Sequence, residues 1–381
     1  MNQKFTPSEI SVPFNPLDRG TFWQAFQNQR QFTRQLVAEL SEAVLCAQPH
    51  PLYSPVGWHL GHIGYTEAFW LLPESSGVSD RDRYWYAADG RPKVERQYLP
   101  PRNELLDYLA GIRQRTGDRL YSLSDEQWQR ELRLWWWILQ HEAQHSETMQ
   151  MVLAMQGIVT TLPPNLSLPQ DHQRIPAGGY VIGSEDLLAL DNEQPVQSVE
   201  LLPFTIDAAP LTWREFLTFV EAGGYQRREW WSSSGWEWRQ AEEIASPFYP
   251  IPENLDLPMW GLSFYEAEAY GHFQGKRLPS EREWEIAAQQ GLLNQGYVWE
   301  WTQSPFAPYP GFQSYPYRGY SAPYFDGEHF VLKGGSHWTR PILKRPSFRN
   351  WYSRTTREVF AGARYVHQET ISTPRDTDAQ I

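Results

Sequence analysis

Residues 132–157 read LRLWWWILQHEAQHSETMQMVLAMQG, a strongly helical run that starts upstream at Ser124-Asp125 and ends at Gly157. His141 and His145 stand four apart in it, so they share one helix face and can grip a single ion. Glu147 follows, completing the pattern H-x-x-x-H-x-E.

Working outward, three further runs are expected to be helical. One is amphipathic from Arg19 to Ala47; a second starts near Ser54, with Ser54 as N-cap and Pro55 at the first helical position; a third follows Pro101. Together they predict a four-helix bundle over residues 17–157, after an N-terminal tail of 1–16. Bundles build metal sites from inward-facing side chains. The stretch VTTLPPNLSLPQ, from Val159, reads as a linker over 158–170. From about Ile175 the pattern changes to short strands such as GGYVIGS and EHFVLKGGS, frequent Gly and Pro, and helices near Thr212–Ala222 and Tyr265–Gln274. That predicts an irregular, loop-rich α+β domain over 171–368 and a polar tail over 369–381, giving an α+β multidomain chain.

Composition excludes several roles. A chain of 381 residues accommodates two domains with their own cores. Its formal charge of −12 offers no basic stripe for nucleic acid. No apolar run reaches the length of a membrane span, and MNQKFTPSEI lacks a signal-peptide core. Cys46 is the only cysteine, so no intrachain disulfide forms and a cytoplasmic location is expected. The 19 tryptophans suit either bulky packing or a ligand held by ring faces, such as a sugar or a cation.

The histidine pair has rival readings. HEAQH also matches H-E-x-x-H, in which Glu142 would be the base of a zinc hydrolase. That enzyme needs a third downstream ligand, where this chain has its Pro-rich linker. Alternatively both histidines are polar residues on a bundle surface. The second helix, WHLGHIGYTEAFW, offers His59 and His62, either of which could complete a three-nitrogen face. Imidazole suits zinc and iron alike, so the donors do not choose the metal.

A resemblance narrows these choices. The bundle motifs SPVGWHLGHIGYTEAFW and HEAQHSET are followed, in order, by IPAGGYVIGSED, DNEQPVQSVELLPFTID, LSFYEAEAYGHFQGKRLPSEREWEIAA, VWEWTQSPF, YPGFQSYPYRGYS, VLKGGSHWT and FRNWYSRTTREVFAGARY. From about residue 17 to 367 the chain resembles the ergothioneine-pathway sulfoxide synthases of the EgtB type. These join a DinB-like four-helix bundle to a C-type-lectin-like domain of the formylglycine-generating-enzyme kind. The resemblance implies Fe(II) held by His62, His141 and His145, with O2 as co-substrate, and leaves His59 without a ligand role. It implies that Gln144 hydrogen-bonds the imidazole of hercynine (N-trimethylhistidine). Tyr317 corresponds to the active-site tyrosine that donates a proton or electron, and Tyr320 lines the pocket. Asn350 and Trp351 correspond to residues holding the carboxylate and trimethylammonium groups. The implied reaction couples a thiol, cysteine or γ-glutamylcysteine, to C2 of that imidazole. The second domain would then wall and clamp the substrate.

The chain departs from the pattern in three ways. Tyr352 stands where some relatives carry an aspartate that contacts the sulfur donor, Gly319 stands where an acidic residue is frequent, and at 381 residues the chain is shorter than many relatives, so some loops are trimmed. Arg91 and Arg96 lie where relatives carry donor-binding arginines, or are solvated surface charges. These departures keep open a selenoneine synthase, which is similar in architecture and takes a selenosugar. The paired cysteines of formylglycine-generating enzymes are absent, which excludes their chemistry. A zinc hydrolase and a metal-free lectin-like binding module are the more distant alternatives.

Overall fold

Ser124 opens the longest helix through a reciprocal cap: its hydroxyl accepts from Gln127 N at 3.2 Å, and the Gln127 side chain accepts from Ser124 N at 2.8 Å. In the computed structural model, which describes residues 15–74, 77–158, 166, 168–169 and 171–367, that helix is the last of the N-terminal half. The order is α1 (Arg19–Val37), α2 (Glu42–Cys46), α3 (Val56–Leu71), α4 (Asp80–Tyr86), α5 (Arg102–Ser122) and α6 (Asp125–Met155). Two compact units divide in sequence between Ile158 and Val159. Residues 1–14 of the expected tail over 1–16, the expected tail over 369–381, and most of the linker over 158–170 lie outside the described residues.

Two helical expectations need correction. The run from Arg19 to Ala47 is broken after Val37, because Arg102 from the start of α5 donates to the carbonyls of Ala38 at 2.9 Å and Leu40 at 2.6 Å. Ser41 then caps a separate short helix. At α3 the N-cap position falls to Pro55, and the Ser54 hydroxyl instead accepts from Arg96 at 2.8 Å.

The long helices α1, α3, α5 and α6 are joined by a buried ion network. Arg30 of α1 donates to Glu142 of α6 at 2.8 Å and to Glu67 of α3 at 2.7 Å. Arg113 of α5 donates to Glu67 and to Glu142, each at 2.9 Å. Thr33 and Thr116 hydroxyls complete the two carboxylates at 2.8 and 2.5 Å, and the remaining guanidinium nitrogens reach the carbonyls of Leu109 and Phe26. Burial alone would push the Glu67 carboxyl up, but Arg113 and Arg30 outweigh it and hold it below its ordinary value. Leu60, Ile63, Leu105, Leu109, Met149 and Val152 belong to the apolar core of this unit.

The second unit contains, in chain order, β1 (His172–Ile175), β2 (Gly178–Ile182), β3 (Gln197–Leu201), β4 (Phe204–Asp207), α7 (Trp213–Glu221), α8 (Ser233–Ala241), α9 (Phe264–Phe273), β5 (Lys276–Arg277), α10 (Glu281–Gln289), β6 (Trp299–Pro305), β7 (His329–Lys333), β8 (Asn350–Ser353), β9 (Ala361–Ala363) and β10 (Val366–His367). They form sheets ordered β1-β4-β10-β5, β2-β3 and β8-β7-β6-β9. One carboxylate spans the first sheet: Asp207 of β4 meets His172 of β1 at 3.0 Å, His367 of β10 at 2.7 Å and Lys276 of β5 at 3.0 Å. No described helix is long and apolar enough to cross a membrane.

Gly61 of α3 makes a testable contribution. A Cβ there would lie 2.1 Å from the Tyr86 ring, whereas one at Gly111 of α5 meets nothing within 4 Å. Gly61→Ala should therefore destabilise the protein by about 1–3 kcal/mol, and Gly111→Ala should stabilise it by about 0.4–1 kcal/mol. Urea melts decide this; shifts of the same sign contradict the close approach of α4 to α3.

Candidate metal centre

His62 sits near the middle of α3, and His141 and His145 lie one turn apart on α6. Their candidate donor atoms all lie within 4.8 Å of one another, a spread that small side-chain rotations close onto bonds of about 2.0–2.1 Å. Two of the rings have defined neighbours. The His62 Nδ1 donates to the Tyr86 carbonyl at 2.7 Å, which leaves Nε2 as its free donor atom. Trp58 stacks on His62 with ring centroids 4.6 Å apart, and Trp137 stacks on His141 at 5.5 Å.

Electrostatics keep the cluster neutral. Burial lowers His62 to about 4, with Arg96 adding to the effect against the Tyr86 hydrogen bond. Burial and then the neighbouring imidazoles hold His141 and His145 well below the ordinary histidine value. Lone pairs are thus available at neutral pH. Three neutral nitrogens without a carboxylate fit a divalent transition metal such as iron or zinc, and do not fit calcium or magnesium.

Glu142 cannot act as the base of a hydrolase. It is 1% exposed, and its two oxygens accept from Arg30, Thr33 and Arg113. The H-E-x-x-H match is therefore a coincidence of spacing: the glutamate belongs to the ion network, not to the metal face.

Other expected site residues of this unit are placed as follows. Gln144 lies half-buried just before His145, its amide donating to the Gln140 carbonyl at 3.2 Å. Neither Arg91 nor Arg96 is a solvated surface charge. Arg96 stacks 4.0 Å over the Trp58 ring and donates to Ser54, Ala88 and Arg91. Arg91 stacks 4.1 Å over Trp85 and donates to the Tyr98 carbonyl. Arg96 therefore supports the Trp58–His62 stack. His59, which the resemblance leaves without a ligand role, has a buried ring that meets His145 with the two Nδ1 atoms 2.9 Å apart.

In the second unit, Tyr320 and Trp351 come together edge-to-face with centroids 5.7 Å apart. Tyr324, which no motif singled out, stands 5.5 Å from the same indole, and Phe306 covers one of its faces at 4.4 Å. Tyr317 keeps an exposed side; burial, then Tyr324 and Asp191, raise its phenol above the ordinary value, so it holds its proton at neutral pH. The Asn350 side chain accepts from Trp351 N at 2.9 Å. Tyr352 follows Trp351 on β8 and so points to the opposite face of the sheet.

The triplet Asp191–Asn192–Glu193 anchors both segments. Asp191 accepts from Ser321 at 2.5 Å and from Tyr315 N at 3.2 Å, which pins the loop carrying Tyr317 and Tyr320. Glu193 accepts from Ser347 at 2.7 Å and Arg345 at 2.8 Å, and the Asn192 carbonyl accepts from Arg349 at 2.7 Å, which fixes the approach to Asn350.

Comparison with known proteins agrees with both halves. The DinB superfamily model matches residues 25–149, and the sulfatase-modifying factor enzyme 1-like domain matches 161–299 and 294–369. Over 414 residues the chain is 32% identical to the hercynine oxygenase of Mycolicibacterium smegmatis, covering 88% of this chain and 96% of that one. The chain belongs to the hercynine oxygenase family. A second member, from Mycobacterium tuberculosis, is 31% identical over 86% of this chain and 94% of its own. The inactive C-alpha-formylglycine-generating enzyme 2 of Mus musculus is 32% identical over 33% of this chain and 49% of its own. As a hercynine oxygenase family member, the protein is an oxidoreductase with a DinB-like helical unit followed by a mixed α+β unit.

The neutral imidazoles make stability depend on pH. In the unfolded chain they take up protons near 6.5, whereas in the fold His62 does so only near 4. The metal-free protein therefore loses stability as pH falls through that window and regains it above. Thermal melts from about pH 7 to pH 5 should show a falling midpoint. The fall should be shallower when His62, His141 and His145 are all replaced by Asn. Equal slopes would contradict the depressed histidines.

Proposed function

We propose that the protein is a non-haem Fe(II) enzyme that uses O2 to join a sulfur donor, cysteine or γ-glutamylcysteine, to C2 of the hercynine imidazole, forming a sulfoxide for ergothioneine biosynthesis. The observation that carries this reading is the convergence of His62, His141 and His145 as neutral donors, with Glu142 turned away into the ion network. Fe(II), when bound there, supplies the redox chemistry that commits dioxygen to carbon–sulfur bond formation.

The protein's own residues bind and orient. Three imidazole donors leave coordination positions free for substrates, which favours proximity of the reacting atoms. Gln144, next to His145, offers an amide to the substrate imidazole. A trimethylammonium group has no conventional hydrogen to donate, so ring faces are its natural partners, and Trp351, Tyr320 and Tyr324 form such a cluster. Asn350 stands beside Trp351 for the carboxylate. Tyr317, protonated at neutral pH, is suited to deliver a proton from its hydroxyl. Arg91 and Arg96 act through the fold around Trp58 and Trp85 in this reading.

A selenosugar donor is the second reading, favoured by Tyr352 in place of the aspartate that contacts the sulfur donor in some relatives. The test of both is Fe(II) reconstitution without oxygen, followed by air, hercynine and one donor: cysteine, γ-glutamylcysteine or a selenosugar. Mass spectrometry should detect a coupled product, and the preferred donor separates the readings. Tyr317→Phe should lower its rate about 10²-fold or more without loss of iron. No coupled product with any donor, from protein carrying a full equivalent of iron, contradicts the proposal.

A further inference from the structure

His59 lies one turn before His62 on α3, is 5% exposed, and faces His145 of α6 with the two Nδ1 atoms 2.9 Å apart. Only one of two facing ring nitrogens can carry the shared proton. If His59 donates, the lone pair of His145 is consumed at Nδ1 and its proton sits on Nε2, which then cannot bind a metal. If His145 donates, its Nε2 lone pair is free and the His59 proton moves to its own Nε2. The other His59 nitrogen is buried and makes no hydrogen bond there, so apart from the Ser54 backbone, which favours the protonated ring, the His145 contact is the polar interaction of this buried side chain. The neighbouring ligand shows the same construction: His62 gives its Nδ1 proton to the Tyr86 carbonyl at 2.7 Å.

We infer that His59 is a positioning residue, the acceptor that takes the His145 Nδ1 proton and so fixes His145 in the tautomer and orientation able to bind a metal through Nε2. This rests on reading His145 as a ligand. Partners of this kind fix ring orientation and raise ligand basicity, and their loss weakens metal binding by roughly 10–100-fold.

Two measurements test it. Anaerobic Co(II) titration of the metal-free protein should give one equivalent bound in the wild type. Affinity should fall about 10–100-fold in His59→Phe, and should largely return in His59→Asn, whose side-chain oxygen accepts the same proton. In the Zn(II)-loaded wild type, nitrogen-15 NMR should find His145 protonated at Nδ1 and His59 at Nε2, a readout that does not depend on any variant folding. A folded His59→Phe protein with unchanged affinity, or the reverse tautomers, overturns the inference while leaving the metal centre intact. A wild type that takes up no metal overturns the metal centre itself, and this inference with it.

Discussion

Inside the helical unit Arg30 and Arg113 meet Glu67 and Glu142 with almost no exposed surface, and every long helix contributes to the contact. Four buried charges are costly to desolvate, and removing one member of such a network costs about 3–5 kcal/mol because its partners are left uncompensated. What the network supplies is register. Glu67 lies five residues beyond His62 on α3, and Glu142 lies next to His141 on α6. A slip of one turn, about 5.4 Å, would separate both glutamates from their arginines and carry His62 away from its partners. The ion network and the three-imidazole face are thus two consequences of one helix alignment.

The second unit solves a similar problem by other means. Its expected substrate residues sit on a loop and a short strand, which cannot hold their own geometry. The triplet Asp191–Asn192–Glu193, fully buried, ties Ser321, Ser347 and Arg349 together and so determines where Tyr317, Tyr320 and Trp351 begin. A buried polar hub in place of regular secondary structure explains how so irregular a chain presents an ordered cluster of rings.

Local signals were readable from the residues: the i,i+4 histidine pair, the Ser124 cap and the change to short strands. Helix α10 was missed: Ser280 and Glu283 form its capping box, yet its brief apolar face hid it among loops. What local reading could not reach was set by distant partners. HEAQH looks like a hydrolase motif until Arg30, 112 residues earlier in the chain, is seen to hold Glu142. The break after Val37 depends on Arg102, more than sixty residues later. The choice of His62 over His59 came from resemblance, since spacing alone allowed either, and the pairing of His59 with His145 needs both helices in place.

The account turns on Glu142 being a structural ion beside a metal face. The most direct test is Glu142→Gln, comparing unfolding free energy, bound metal and turnover per bound metal with the wild type. The expected result is a stability loss on the order of 3–5 kcal/mol and reduced metal content, with turnover per metal retained. A variant as stable and as fully metal-loaded as the wild type, yet inactive, would make Glu142 a catalytic base and contradict the account.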